Sequence, residues 1–416
     1  MEIKEIKHNQ KLGPLDGIKI VEYGVFHAGP GGGAILGDLG ADVIKIESEE
    51  GDPERGWTQL AGIDMSMENG ESLIFEVSNR NKKGICLDIK TEQGRGVMHR
   101  LIKDADVFLT NLRKTTKIKL GVDYESIKKI NSRIIHASVS GYGKEGPLSD
   151  KGAYDNMGQA YSGMMYMTGS SEPVIINLAI LDQATAISFS HGVITALFHR
   201  ERTGIAQEIH ISLYGTSLWL QHINLMLANT LGVAQGVPKD RFSHSPLRNG
   251  FCCKDGRWFH GTHHPDEQFW ETFCRVTGQS HLFTDPYFTR ENGAPKNYPE
   301  LVAHFDKLFL TKTMDVWMQL FQENNLMFCP VNKITDIQND PQAIANNFVV
   351  PVEYRGIGKV NLPGYPIYFS ECQVGIKTEA PQKGEHTDTV LKGVGYSDRE
   401  IKELKSNRVV KSFDQH

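Results

Sequence analysis

Two stretches of the chain carry residue types spaced for chemistry. In residues 17–47, GIKIVEYGVFHAGPGGGAILGDLGADVIKIE, the residues Gly29, Gly31 and Ala34 satisfy GxGxxA, and Glu47 ends a second strand. A glycine-rich turn between strand and helix offers backbone N–H groups to a phosphate-bearing ligand, and an acid about 20 residues on is the ribose contact of dinucleotide sites. The spacing nonetheless argues against a dinucleotide. Gly24, Val25, Phe26, His27 and Ala28 separate the strand ending at Tyr23 from Gly29, whereas the dinucleotide turn places its first glycine almost at once. That detour leaves room for something larger than a pyrophosphate clamp. The second stretch, DQATAISFSHGVITALFHR from Asp182 to Arg200, reads as a mostly apolar buried helix opened by a carboxylate. Such a carboxylate is either an N-cap for the first free amides or a nucleophile or base held where the helix dipole favours negative charge. Spacing alone leaves both open.

Other candidates are weaker. Arg113, Lys114, Lys117 and Lys119 form a short basic cluster, by default a solvated loop face and otherwise a seat for a polyanionic small molecule. His260, His263 and His264 in HGTHHP lack a carboxylate or cysteine at ligand spacing, so a structural or surface role is expected and no metal is assigned. Tyr154 and Gln159 in YDNMGQAYSG are polar groups ahead of a small-residue segment, suited to loop hydrogen bonding. GxSxG and GxxxxGK[ST] are both absent, so neither that nucleophile elbow nor activation by ATP through that loop is indicated.

The elements that must position these residues alternate. Strand-like runs IKIVEY, DVIKIE, GICLDI, DVFLTN, RIIHASVSG and QEIHISLY are separated by helical stretches such as 91–103, the mark of an α/β fold with a parallel sheet. Composition shifts after residue 225, FCCKDGRWFHGT resembles a hairpin about Asp255-Gly256, and helices are expected at 265–278, 298–310 and 313–325. The expected organisation is a large α/β domain over 1–225, a smaller α+β domain over 226–330, and a segment 331–416 returning to the first. At 416 residues, 39% hydrophobic and 23% charged with net charge −5, the chain reads as a soluble globular enzyme with no surface for nucleic acid or membrane. Six cysteines show no CxxC and no regular spacing, which points to a reducing compartment. The charged start MEIKEIKHNQKLG is no secretory signal and no run approaches the ~18 apolar residues of a membrane span, so a cytoplasmic location is expected.

Taken in order, GPLDGIKIVEYGVFHAGPGGGAILGDLGADVIKIE, NRNKKGICLDIKTEQGRGV, ADVFLTN, SGYGKEGP, YDNMGQAYSG, ALFHRERTGIAQEIHISLY and KGEHTDTVLKGVGYSDREI resemble the family III CoA-transferases, over about residues 13 to 405. The resemblance implies a Rossmann-like large domain, a smaller domain, and an interlocked homodimer. It implies an enzyme that moves coenzyme A from an acyl-CoA donor to a free carboxylic acid, with both as substrates and no permanently bound cofactor. The family's nucleophilic aspartate falls on Asp182. Its coenzyme A contacts fall on His27, Ala28, Leu87, Lys90, Asn111, Leu112, Arg113, Lys119, Tyr154 and Asp155, with Lys90, Arg113 and Lys119 as partners for the phosphates. Two family positions differ: an arginine corresponds to Ser48 and a lysine to Gly152. SHSPLRNGF lacks the glycine-only flap of formyl-CoA transferase, which argues against oxalate or formate as the acids. The rival within this fold is an α-methylacyl-CoA racemase, whose proton-transfer histidine would fall on Tyr154; a tyrosine of pKa about 10 suits that task poorly. A silent coenzyme A-binding partner subunit and an NAD-dependent dehydrogenase are the remaining readings, the first disfavoured by the presence of Asp182.

Overall fold

Runs of β-branched residues buried on both faces form parallel strands when helices cover each face of the sheet, and six such runs do so here. The computed structural model describes residues 12–60, 62–68, 70–176, 179–232, 240–355 and 357–413. The large sheet contains β1 (Lys19–Tyr23), β2 (Asp42–Glu47), β3 (Lys82–Leu87), β4 (Val107–Thr110), β5 (Ile135–Ser140), β6 (Glu208–Ser212) and β7 (Val410–Lys411). Their spatial order is β7-β3-β2-β1-β4-β5-β6. Every neighbouring pair is parallel except β7 on β3, where Val410 faces Leu87. The run 3-2-1-4-5-6 is the doubly wound order, and it opens a crevice where β1 and β4 lead their chains to opposite sides. The turn 24–27 after β1 and Asn111 after β4 stand at that point.

Five helices matter for the site: α1 (Ala28–Asp38), α2 (Leu73–Asn79), α3 (Lys114–Leu120), α4 (Asp155–Tyr161) and α5 (Ile180–Thr203). One face of the sheet packs Ile20, Val43, Val107, Leu109 and Ile135 against Leu36 of α1 and Phe189, Val193 and Leu197 of α5. The other packs Val21, Ile46, Ile85 and Phe108 against Val97, Met98 and Leu101 from Glu92–Lys103 and against Leu391, Ile401 and Leu404 near the C-terminus.

Contacts divide the chain into two units. The first is Met1–Thr168, Glu172–Gln235 and Ala345–His416, which contains this sheet; the second is Gly169–Ser171 and Gly236–Ile344. These divisions fall at 235/236 and 344/345, against 225/226 and 330/331 from composition. The second unit has a three-stranded antiparallel sheet, Gly250–Cys252, Trp258–Gly261 and Phe328–Pro330. Its hairpin turns at Gly256, in the left-handed region at φ 74°. An aromatic core of Phe251, Phe259, Trp270, Phe273, Phe305, Phe309, Trp317 and Phe321 fills it.

The glycine run differs from a ligand-cradling loop. Gly29, Gly31, Gly32 and Gly33 lie inside α1 and are buried. A Cβ on Gly31 would sit 3.1 Å from the Cβ of Ala186, and one on Gly32 would sit 2.5 Å from the Phe189 ring. A Cβ on Gly33 would lie 2.0 Å from Glu22 Oε2. Glycine is required here so that α1 can approach α5 and a buried carboxylate. Gly33→Ala must displace Glu22 from Lys82, where Glu22 accepts two bonds of 2.8 Å. Overpacking a dry ion pair predicts destabilisation by about 3 kcal/mol or more, readable as a lower denaturant midpoint at unchanged slope. A wild-type midpoint would show that α1 shifts freely.

Candidate active site

The turn after β1 is held from two sides. Val25 N–H donates to Asn111 Oδ1 at 3.0 Å and Asn111 Nδ2 donates back to Val25 O at 2.5 Å. Phe26 N–H donates to Asp52 Oδ1 at 3.1 Å. Phe26 stands at φ 59°, a conformation costly for an aromatic residue and sustained only by surrounding structure. Asp52 is itself fixed by Lys45, whose Nζ donates to Asp52 Oδ2 at 2.9 Å and to Gly24 O at 3.1 Å. Lys45 lies 3.4 Å from Glu22, and Lys45 and Glu22 are fully buried. Burial lowers Lys82 to about 8 against the pull of Glu22. Lys45 is held above its usual value because Asp52 and Glu22 outweigh its burial.

Asp182 is not the cap of its helix. α5 begins at Ile180, after Ala179 at φ 54°. Ile180 and Leu181 precede Asp182 in its first turn, and capping comes from another helix. Asp155 Oδ2 accepts from Leu181 N–H at 2.7 Å and Asp182 N–H at 2.9 Å. Gln159 Nε2 donates to Asp155 Oδ1, and the same amide group brackets Ile176, donating to its O at 2.9 Å and accepting from its N–H at 3.0 Å. Asp182, Ala186 and Phe189 share one stripe of α5 at i, i+4 and i+7. Because Ala186 and Phe189 press on Gly31 and Gly32 of α1, that stripe points the Asp182 carboxyl towards the beginning of α1. The carboxyl has no hydrogen-bond partner among the described residues. Burial, with Asp155 nearby, pushes it up to about 7.

A cavity of about 770 Å³ opens at this point and is lined by His27, Ala28, Asn111, Leu112, Arg113, Tyr154 and Asp182 among others. Those seven sequence-selected residues therefore come together. Four others do not line it. Leu87 is buried in β3 beside β7, Lys90 is exposed after that strand, Lys119 is exposed on α3, and Asp155 sits behind Asp182 as its helix cap. Lys117 lines the cavity instead of Lys119. The helical period explains this, since Lys117 follows Arg113, the N-cap of α3, by four residues and Lys114 by three, and Lys119 is turned away. Phe26 also lines it, edge-on to Tyr154 at 5.5 Å and to Trp57 at 5.9 Å.

His27 caps this wall. Its ring bridges Ser78 Oγ at 2.7 Å and Gln183 Oε1 at 2.9 Å. With Gln183 Oε1 accepting, Nε2 carries the proton and Nδ1 accepts from Ser78. Burial holds His27 below its ordinary value, so it is neutral. Glu54, 4.0 Å from Nδ1, is pushed up to about 8 by burial and by Asp52, so no ion pair forms at neutrality. Sequence reasoning missed Asp52, Lys45 and Gln183, and named Lys117 only as part of the basic cluster, not as a contact. Lys117 left a signal in its place in that cluster, and Lys45 in being a charged residue inside the strand run DVIKIE. At the two positions that differ from the family, Ser48 Oγ donates to Glu50 at 2.7 Å, and Gly152 lies so close to Arg113 that a Cβ would meet its guanidinium at 2.8 Å. His263, in the second unit, is a satisfied core residue: Nδ1 donates to Leu247 O at 3.0 Å and Nε2 accepts from Met327 N–H at 2.8 Å.

A free carboxyl on the wall of a cavity this size, beside helix-terminal amides, suits acyl transfer. Comparison with known proteins bears on which kind. The profile described as CoA-transferase family III matches residues 15–387. An (R)-2-hydroxy-4-methylpentanoate CoA-transferase of Clostridioides difficile is 31% identical over 402 residues, 95% of this chain and 99% of that protein. The human succinyl-CoA:glutarate CoA-transferase is 30% identical, over 97% of this chain and 91% of its own. The crystal structure of a CAIB/BAIF family protein from Brucella suis superposes with a TM-score of 0.78 at 28% identity, covering 92% of this chain and 100% of that one. With the profile spanning the sheet, the turn and Asp182, and relatives aligned nearly end to end, the chain belongs to CoA-transferase family III and is a CoA-transferase.

Proposed function

We propose that Asp182 is the nucleophile of a ping-pong transfer between an acyl-CoA and a free carboxylic acid. The observation that supports this is its unpartnered carboxyl on the cavity wall, beside the start of α1. The carboxylate attacks the donor thioester carbonyl, expelling coenzyme A thiolate and leaving an aspartyl–acyl anhydride. The thiolate then attacks the aspartyl carbonyl, releasing the donor acid and leaving an aspartyl-CoA thioester. The acceptor carboxylate attacks that thioester to form the second anhydride, and the thiolate attacks its acyl carbon, restoring Asp182 and giving the new acyl-CoA. One thioester replaces another, so the cycle needs no ATP.

The amides that hold the developing oxyanions are those of His27, Ala28 and Gly29, which find no acceptor among the described residues. Those of Val25, Phe26, Leu181 and Asp182 are already taken. A preorganised donor of this kind is worth ~3 kcal/mol in the transition state. Incubating the enzyme with donor acyl-CoA, then adding hydroxylamine, tests the cycle: mass spectrometry should find the hydroxamate on Asp182. An unmodified Asp182 during active turnover would sink it. Screening acetyl-CoA and succinyl-CoA against hydroxy, dicarboxylic, betaine-like and aryl acids identifies the pair.

Asp182 reacts as the carboxylate. With its pKa near 7, kcat/KM should fall about tenfold per pH unit below about pH 6 and level off above about pH 8. A profile flat down to about pH 5 would place the titrating group elsewhere.

The working unit is proposed to be two interlocked copies in a reducing cytoplasm. Supporting the first is an apolar face along Leu213–Leu220 and His222–Leu231, where Trp219 is 74%, Ile223 73% and Leu231 67% exposed. Supporting the second, all six cysteines are free thiols. No helix among the described residues is long and apolar enough to cross a membrane. Light scattering after size exclusion should return twice the 46.5 kDa chain mass.

A further inference from the structure

Lys117 is unusual for a lysine. It is 8% exposed, it lines the cavity, and its ammonium has no hydrogen-bond or ion-pair partner among the described residues. The polar groups around it are occupied. Glu208 pairs with Lys144 at 2.6 Å, and the hydroxyls of Ser138 and Ser140 engage the two ring nitrogens of His210 at 2.9 and 2.8 Å. Burial holds Lys117 below its ordinary value, with Glu208 and Asp123 opposing and Lys144 and Lys114 reinforcing that shift. A cation withdrawn from water without a fixed counter-charge is unfavourable, and this one faces the space where substrate enters.

We infer that Lys117 is a binding residue for a phosphate group of the coenzyme A thioester, an assignment that rests on this cavity being the thioester site. Phosphate suits the wall better than a carboxylate does. Arg113, the N-cap of α3, and Lys114, three residues ahead of Lys117, also line the cavity, so three cations meet a group with more charge and more oxygens. This differs from the pattern carried over from the family, in which Lys119 had that part.

Calorimetric titration of the full-length enzyme with coenzyme A, dephospho-coenzyme A and pantetheine, in wild type, Lys117→Met and Lys117→Arg, tests it. Lys117→Met should weaken coenzyme A about tenfold or more, a typical loss for a charged hydrogen bond. It should leave pantetheine unchanged, and Lys117→Arg should bind within a few-fold of wild type. If dephospho-coenzyme A suffers equally, the pyrophosphate is the group bound; if it is spared, the 3′-phosphate is, and either result supports the assignment. Wild-type affinity for coenzyme A in Lys117→Met overturns it. So does an equal loss for pantetheine, which would mean a collapsed wall, or an effect confined to the KM of the free acid. A wild-type enzyme that does not bind coenzyme A would instead bring down the reading of the cavity itself, and this inference with it.

Discussion

Asp182→Ala should bind coenzyme A and transfer nothing. Removing a nucleophile that would form three covalent intermediates in each proposed cycle should lower kcat by about 10⁴-fold or more, as in enzymes whose attacking residue is deleted. Binding should survive because His27, Asn111, Arg113 and Tyr154, which line the cavity, belong to other elements. The α5 amides also survive, since Asp155 and not Asp182 caps them. Single-turnover assays with the donor thioester, paired with coenzyme A titration, separate the two outcomes. Turnover within tenfold of wild type would end the aspartyl mechanism. Loss of binding together with turnover would assign Asp182 to the architecture of the site.

Lys45→Met has the largest expected effect on the fold. Methionine fills a similar volume but leaves the Asp52 carboxylate without its cation and Gly24 O without its donor, all in a region sealed from water. Breaking a buried ion pair by removing one partner costs about 3–5 kcal/mol. Urea unfolding of the variant should show that loss. The double variant Lys45→Met with Asp52→Asn should recover part of it, because the second change removes the stranded charge while leaving an acceptor for Phe26 N–H. If Lys45→Met unfolds at the wild-type midpoint, the network contributes no stability.

Much of the framework was legible in the chain. Five of the six parallel strands lie within the runs chosen by their β-branched content, β3 begins at Lys82, two residues ahead of GICLDI, and α5 was visible as an apolar run of helical length. What escaped depends on partners distant in sequence. Asp182 looked like a cap because a carboxylate heads an apolar stretch, but the cap arrives from Asp155, 27 residues earlier. The glycines suggested a ligand loop because the pattern records only that side chains are missing; which neighbour fills the space is a property of how α1 meets α5. Nothing about phenylalanine announces a positive φ, and Phe26 adopts one because Asp52 holds its amide. Lys45 and Lys82 did offer a signal: charged residues within strands of a parallel sheet are placed where both faces are covered, so they need internal partners.

The glycine contact between α1 and α5 also bears on how such an enzyme diversifies. Gly31 and Gly32 bring one helix against Ala186 and Phe189 of the other with no flexible side chain between them. In the proposed mechanism the nucleophile and the oxyanion amides would thus be mounted on a single stiff chassis, and mutational drift elsewhere in the cavity would leave their alignment untouched. Selection for a new acid can then work through the periphery while the reactive geometry is inherited whole.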